Sequence, residues 1–487
     1  MESPLIKREA TLAVDGDYPP VKSMAEVRAV LWAESVKMWK IAAPIACNIL
    51  CLYGTNSLTN IFAGHIGDVE LSAVAISLSV FGALSFGFML GMASALETLC
   101  GQAFGAGQLY MLGIYMQRSW IILCISCIVF LPIYLFATSI VKFLGQDDEI
   151  AELAGNFTIL VIPQLFSLAI QFPTQKFLQA QGKVSVMAWI GFAALVLHVG
   201  MLWVFIFVCG WGLVGAAAAF NITTWGITAA QVVYVVGWCK DSWNGLSWSA
   251  FDEIWAFFRL SVASAVMICL EVWYMMCAII LTGHLDNALT AVGSLSICMN
   301  LNGYEAMLFI GVNAAISVRV SNELGLRHPR AAKYSVYVTV LQSLLIGMFS
   351  MIIVLIARDD FAAIFTDSKE LQRAVSKLAW LLGLTMVLNS VQPVISGVAV
   401  GGGWQEQVAY INVGCYYIFG LPLGLFLGYK AHLGVAGIWG GMISGVALQT
   451  LILLVVLYKT NWNREVEQTA ERMRRWGGRD IEVEDCI

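Results

Sequence analysis

GMASALETLCGQAFGAG at Gly91–Gly107 and GVNAAISVRVSNELG at Gly311–Gly325 are two versions of one phrase. Gly91 falls on Gly311, Ala95 on Ala315 and Gly105 on Gly325, each 220 residues on. AGHIGDVELSAV at Ala63–Val74 precedes the first copy, and TGHLDNALTAV at Thr282–Val292 precedes the second. After the copies, Pro173 matches Pro393, Gly182 matches Gly402, and WGLVGA at Trp211–Ala216 matches LGVAGI at Leu433–Ile438. One match among so many Gly and Ala residues could be chance. Matches in one order at offsets of 219 to 222 residues mean a half-chain written twice. That doubling constrains the fold before any single residue does.

The 487 residues are 59% hydrophobic and 12% charged, with mean hydropathy +0.78. A soluble domain carries about 25% charged residues, so the composition is that of an integral membrane protein. The formal charge of −5 is diffuse, without a basic run, which argues against nucleic acid as a partner. Cys124 and Cys127 form a CxxC, but inside an apolar run, where cysteine packs as a small hydrophobe. The first 35 residues carry acids and prolines rather than the apolar core of a signal peptide.

About 20 apolar residues cross a bilayer as a helix. Twelve runs qualify, near 36–61, 71–98, 115–140, 150–172, 184–209, 213–238, 256–281, 289–318, 334–357, 371–397, 406–428 and 434–459. The expected organisation is a tail over 1–35, an N-lobe over 36–238 and a loop over 239–255, then a C-lobe over 256–459 and a charged tail over 460–487. With both termini in the cytosol, cytosolic segments hold 21 of the 27 Lys and Arg, including Arg118. The far side holds Lys142, Arg358, Lys369, Arg373, Lys377 and Lys430, so the positive-inside rule places both termini in the cytosol. Six crossings separate the copies, an even number, so the fold class expected is all-α with two parallel-related six-helix bundles. Pro44, Pro132, Pro163 and Pro422 lie within expected spans and are candidate bending points.

An ionisable side chain in hydrocarbon is expensive and is a functional candidate by default. Glu271, in MICLEVWYMM, lies roughly 22 Å from the cytosolic end of the seventh span. Arg259 is roughly 18 Å from it along the axis, too far to pair. Glu305, in LNGYEAMLFIG, sits as deep in the eighth span, and adjacent antiparallel helices could bring the two acids together to share protons. Asn300, Asn302 and Asn313 make that span unusually polar. In the tenth span, Asn389, Gln392 and Ser396 share one helix face, and Trp273 and Tyr274 offer aromatic walls to a planar solute. Glu97 and Gln102, with Arg319 and Glu323, stand at the cytosolic ends of the second and eighth spans as gate candidates. His198 could relay protons or simply be hydrogen-bonded, and His65 and His284 read as structural loop residues. Neither a HExxH, a Walker loop nor a GxSxG occurs, so hydrolase and ATP-driven readings lack their parts.

ALETLCGQAFGAG at Ala95–Gly107, SVRVSNELG at Ser317–Gly325 and NSVQPVISGVAVGGGWQ at Asn389–Gln405 resemble the plant multidrug and toxic compound extrusion (MATE) family. The resemblance covers essentially all of residues 36–460, and NGYEAM and NSVQPV resemble the subgroup of transparent-testa and flower-flavonoid transporters. It implies the MATE fold, two six-helix bundles about a central cavity, and proton- or sodium-coupled antiport of organic solutes, with protons usual in plants and no cofactor or metal expected. It also implies that Glu271 is the protonation or cation site. Other plant members carry an aspartate where this chain has Asn389, and bacterial members often carry one late in the first span, where this chain has LTNIF at Leu58–Phe62. The expected protein is therefore a monomeric exporter of secondary metabolites or xenobiotics, in the vacuolar membrane in preference to the plasma membrane, working with the lipid bilayer, protons and a small organic solute. An anion pathway for chloride is the main alternative. A lipid-linked sugar flippase is a third, disfavoured by the scarcity of Lys and Arg at midplane depth.

Overall fold

The computed structural model describes residues 16–283, 285, 288–366 and 368–476. Every regular element among them is helical. Eleven helices are long and apolar enough to cross a membrane, and twelve with a bent pair counted as one span. They are α1 (Met24–Gly64), α2 (Asp68–Gly105), α3 (Leu109–Leu135) and α4, the pair Asp148–Leu160 and Ile162–Ala180 bent by 46°. Then come α5 (Val184–Val208), α6 (Gly212–Trp238), α7 (Ile254–Thr282) and α8 (Ala288–Gly325). The last four are α9 (Pro329–Ile356), α10 (Lys369–Gly402), α11 (Gln405–Lys430) and α12 (Gly434–Lys459).

Three boundaries differ from the sequence expectation, each for a local reason. The first span begins within the stretch expected as a tail: α1 runs 41 residues from Met24 without a break, straight through Pro44. α3 stops at Leu135, soon after Pro132, and a short helix, Ala137–Phe143, continues the apolar run that hydropathy alone reads as one span. The break in α4 falls at Val161, just before Pro163, because proline cannot donate into the preceding turn. The charged tail also opens as a helix, α13 (Trp462–Arg475). Arg472 of α13 donates from Nη1 to the Gly402 carbonyl at 3.1 Å, capping an orphan acceptor at the end of α10. His284 lies outside the described residues. His65 has its Nδ1 2.8 Å from the Ile61 carbonyl.

The duplication recurs in the backbone. Left-handed residues come in register: Gly107 with Arg327, Gly210 with His432, and Gly212 with Gly434, while Gly182, matched in sequence to Gly402, finds its left-handed counterpart one residue on at Gly403. The π-helical turn at Val204–Val208 matches the one at Phe426–Lys430. Between Gly182/Gly403 and Val204/Phe426 the offset grows by one residue, and α11 takes up the insertion in a π-helical stretch, Val413–Gly420. A π-turn is how a helix absorbs one extra residue.

By contact the chain forms two compact units, one holding the described chain up to Ala46 with Val266–Arg475, the other Cys47–Ala265 with Trp476. The division passes inside α1 and α7, so the start of each packs with helices of the opposite sequence repeat. In the second-named unit a Cβ on Gly91 would lie 2.6 Å from Ala265 Cα. In the first, a Cβ on Gly311 would lie 2.9 Å from Ala46 Cβ. Gly91 matches Gly311 and Ala46 matches Ala265, so one close helix approach is built twice.

Candidate functional site

α7 carries one acid, Glu271, and the side chains that hydrogen-bond to it are polar but uncharged. Gln392 Nε2 donates to Glu271 Oε1 at 2.9 Å, Ser396 Oγ at 3.2 Å and Asn412 Nδ2 at 3.2 Å. Gln392 and Ser396 reach it from consecutive turns of α10, and Asn412 from α11, just before the π-helical stretch. Gln449 of α12 donates to Asn412 Oδ1 at 3.1 Å, which fixes the Asn412 amide with its NH₂ toward the carboxylate. Among the described residues, no Lys, Arg or His forms an ion pair with Glu271. A buried carboxylate without a cation is costly unless hydrogen-bonded. Here three neutral donors support the charged form, while a proton from solution removes the charge outright. Such an acid can exist in both states without dismantling its surroundings.

Aromatic rings close one side. Tyr274 stacks on Tyr416 with centroids 4.5 Å apart and planes 7° apart, and its hydroxyl donates to the Met442 carbonyl at 2.8 Å. Tyr417 donates to the Leu270 carbonyl at 3.0 Å. Trp273, beside Tyr274 on α7, is 48% exposed.

Glu305 is not beside Glu271. Both of its carboxylate oxygens are enclosed, and Ser350 of α9 is its polar neighbour. α8 thus presents Glu305 toward α9, whereas Glu271 faces α10 and α11. Asn302 is buried and accepts from Asn389 Nδ2 at 3.2 Å, so Asn389 is held by α8 rather than by Glu271. Asn389 and Thr385 are the polar residues in the wall of an otherwise apolar crevice that includes Met275, Met299 and Trp439. Asn300 is exposed and bonds back to the Ser296 carbonyl at 2.9 Å. Asn313 donates to the Pro393 carbonyl at 2.6 Å, tying α8 to α10.

Each unit also holds buried ion pairs towards the ends of its spans. Glu97 Oε2 and Lys176 Nζ are 2.5 Å apart, with the glutamate side chain 2% and the lysine side chain 10% exposed. Gln102, one turn beyond Glu97, is fully buried. In the other unit, Arg319 meets Glu34 at 3.0 Å and Glu323 at 2.7 Å. Tyr18 donates to Glu34 at 2.7 Å, and Asp17 accepts from the Arg330 and Ala331 amides at the start of α9. Burial and the Glu34 charge hold the Tyr18 phenol well above its usual range, so it stays a donor. The 239–255 loop is also pinned: Gln117 bonds Gly245 and Ser247, and Arg118 donates to the Ser249 carbonyl at 3.1 Å. Cys127 contacts the Leu165 carbonyl at 3.4 Å as a packed thiol.

Sequence reasoning missed Asn412, Gln449 and Lys176. The signal available for the two amides was the one used for Gln392, a lone amide within an apolar run, where interhelical hydrogen bonding is the usual reason for its presence. Lys176 stood close enough to the end of its span to read as ordinary flanking charge.

The MatE family model matches residues 44–204 and 263–426. Protein DETOXIFICATION 35 of Arabidopsis thaliana is 70% identical over 474 residues, 97% of each chain. Protein DETOXIFICATION 34 of the same plant is 67% identical, covering 95% of this chain and 85% of its own. The crystal structure of the eukaryotic MATE transporter AtDTX14 superposes with a TM-score of 0.86 at 31% identity, over 91% of this chain and 99% of its own. An outward-facing MATE transporter of the MOP superfamily shares the fold, with a TM-score of 0.78 at 15% identity over 93% of this chain and all of its own. The chain therefore belongs to the MATE family and is a multi-pass membrane transporter of the plant DETOXIFICATION type, not an enzyme.

Proposed function

We propose that the protein is a proton-coupled antiporter that moves organic solutes, such as flavonoid glycosides or alkaloids, out of the cytosol by alternating access. Glu271 is the coupling group. The observation that carries this reading is a membrane-embedded carboxylate held by Gln392, Ser396 and Asn412, with no cation paired to it among the described residues. A proton taken from the acidic side neutralises Glu271, and its release on the cytosolic side restores the carboxylate. Each pH unit of gradient contributes about 1.4 kcal/mol per proton, about a tenfold accumulation. The basic residues favour cytosolic termini, and export from the cytosol down a proton gradient fits the vacuolar membrane. The two sequence repeats act as the lobes, and one chain is a complete transporter.

The test is flux in proteoliposomes with an imposed proton gradient, comparing a labelled flavonoid glycoside with chloride. Solute accumulation that follows the gradient and dissipates it supports the reading. Chloride flux without proton movement overturns it in favour of an anion pathway.

A further inference from the structure

The half of the chain without Glu271 holds a buried imidazole in an unusual setting. His198 of α5 is fully buried. Its Nε2 lies 3.0 Å from Thr59 Oγ1 of α1, and its Nδ1 lies 2.8 Å from Thr223 Oγ1 of α6. Each hydroxyl has one proton, and each already donates it one turn back: Thr59 to the Thr55 carbonyl and Thr223 to the Ala219 carbonyl, both at 2.8 Å. Toward the ring, both hydroxyls are therefore acceptors. The Thr55 and Ala219 carbonyls also face the ring, and they too only accept. Residues 47–64 of α1, and all of α5 and α6, contain no Asp, Glu, Lys or Arg. Their titratable groups besides His198 are Cys47, Cys51, Tyr53 and Tyr234, and the ring packed against the imidazole is Phe220, edge-on at 6.3 Å.

A neutral imidazole has one N–H and one bare nitrogen. In this cage the bare nitrogen finds a donor only if Thr59 or Thr223 turns its hydroxyl away from its carbonyl. An imidazolium donates from both nitrogens and satisfies all the hydroxyls as they stand. We propose that His198, with Thr59 and Thr223, is a second proton-binding site, separate from Glu271. Proton arrival and departure reset one threonine hydroxyl between its own helix and the ring. The site joins α1, α5 and α6, so its protonation state is felt on three spans.

The chain has five histidines, and nitrogen-15 histidine NMR of the protein in nanodiscs resolves charged from neutral rings. His198→Gln assigns the signal. The expected result is one buried imidazole that titrates reversibly within about pH 3 to 7. Thr59→Val and Thr223→Val each remove one acceptor and are expected to weaken proton binding about tenfold, a shift of about one pH unit. If His198→Gln does not fold, the signal that moves in both valine variants supplies the assignment. A ring that stays neutral in one tautomer across that range overturns the proposal, as does a titration that neither valine moves. The readout needs no transport, so it stands or falls apart from the role given to Glu271.

Discussion

The repeat builds the same three-helix junction twice and fills it with different chemistry. In register, His198 corresponds to Gly420, Thr223 to Gly445, and Thr55 to Tyr274. In the first copy the imidazole reaches out from α5 between two threonines. In the second copy the polar group comes from α7: the Tyr274 hydroxyl enters a slot lined by Gly420 and Gly445 and bonds Met442. A Cβ on Gly445 would lie 2.6 Å from that oxygen, and one on Gly420 would overlap it. The glycines exist because the tyrosine does. With the slot closed by a phenol, the titratable chemistry of this half moves three residues back along α7 to Glu271, about 4.5 Å lower on the axis. Duplication conserved helix paths, π-turns and left-handed corners, while the side chains at equivalent positions were free to diverge.

The largest expected stability effect separates the two halves at one pair of matched positions. Lys176 corresponds to Ser396, yet Lys176 neutralises Glu97 whereas Ser396 solvates Glu271. Removing one member of a buried ion pair strands the other, at about 3–5 kcal/mol. Lys176→Ala should therefore strongly destabilise the protein in thermal or denaturant unfolding, while Lys176→Met with Glu97→Gln recovers most of the loss. Equal stability of Lys176→Ala and wild type would mean that the pair is not buried.

A smaller effect tests the glycine slot. Gly420→Ala forces the Tyr274 hydroxyl aside and is expected to cost about 1–3 kcal/mol, the range for overpacking a tight core. Combining it with Tyr274→Phe should relieve part of that cost, because the oxygen is gone while the Gly445 backbone remains close. Additive losses in this double-mutant cycle would show that the two positions do not compete for space.

The smallest effect uses the corners. His432 and Arg327 hold φ of 55° and 62°, where their counterparts Gly210 and Gly107 sit at 68° and 71°. A left-handed non-glycine residue is disfavoured by about 1 kcal/mol. His432→Gly and Arg327→Gly should each raise stability by about that amount, and Gly210→Ala should lower it similarly. Opposite signs would break the claim that these corners are the same structure.

Much of this was legible in the chain because membrane solvation is unforgiving: apolar runs of spanning length become helices, and polar residues within them stand out. Glu271, Gln392 and Ser396 were visible in that way, and the structure draws them into one hydrogen-bonded group. Which helix face meets which neighbour was not legible. Sequence could pair Glu305 with Glu271, but α8 turns Glu305 toward Ser350. Nor could it see that Asn412 and Gln449 form a chain behind the carboxylate, since they converge from two further helices. The broken α4 and shortened α3 escaped hydropathy because a bend at Val161 or Phe136 leaves the residues as apolar as before.

The central claim is that Glu271 exchanges the coupling proton, and Glu271→Gln tests it most directly. Glutamine keeps the shape and the neutral partners but cannot titrate. The measurement is uptake of a labelled organic solute into acidified vesicles, wild type against Glu271→Gln, normalised to folded protein. The expected result is loss of gradient-driven accumulation, with the variant still folded and inserted. Uptake by the variant that remains undiminished and still follows the proton gradient would contradict the account.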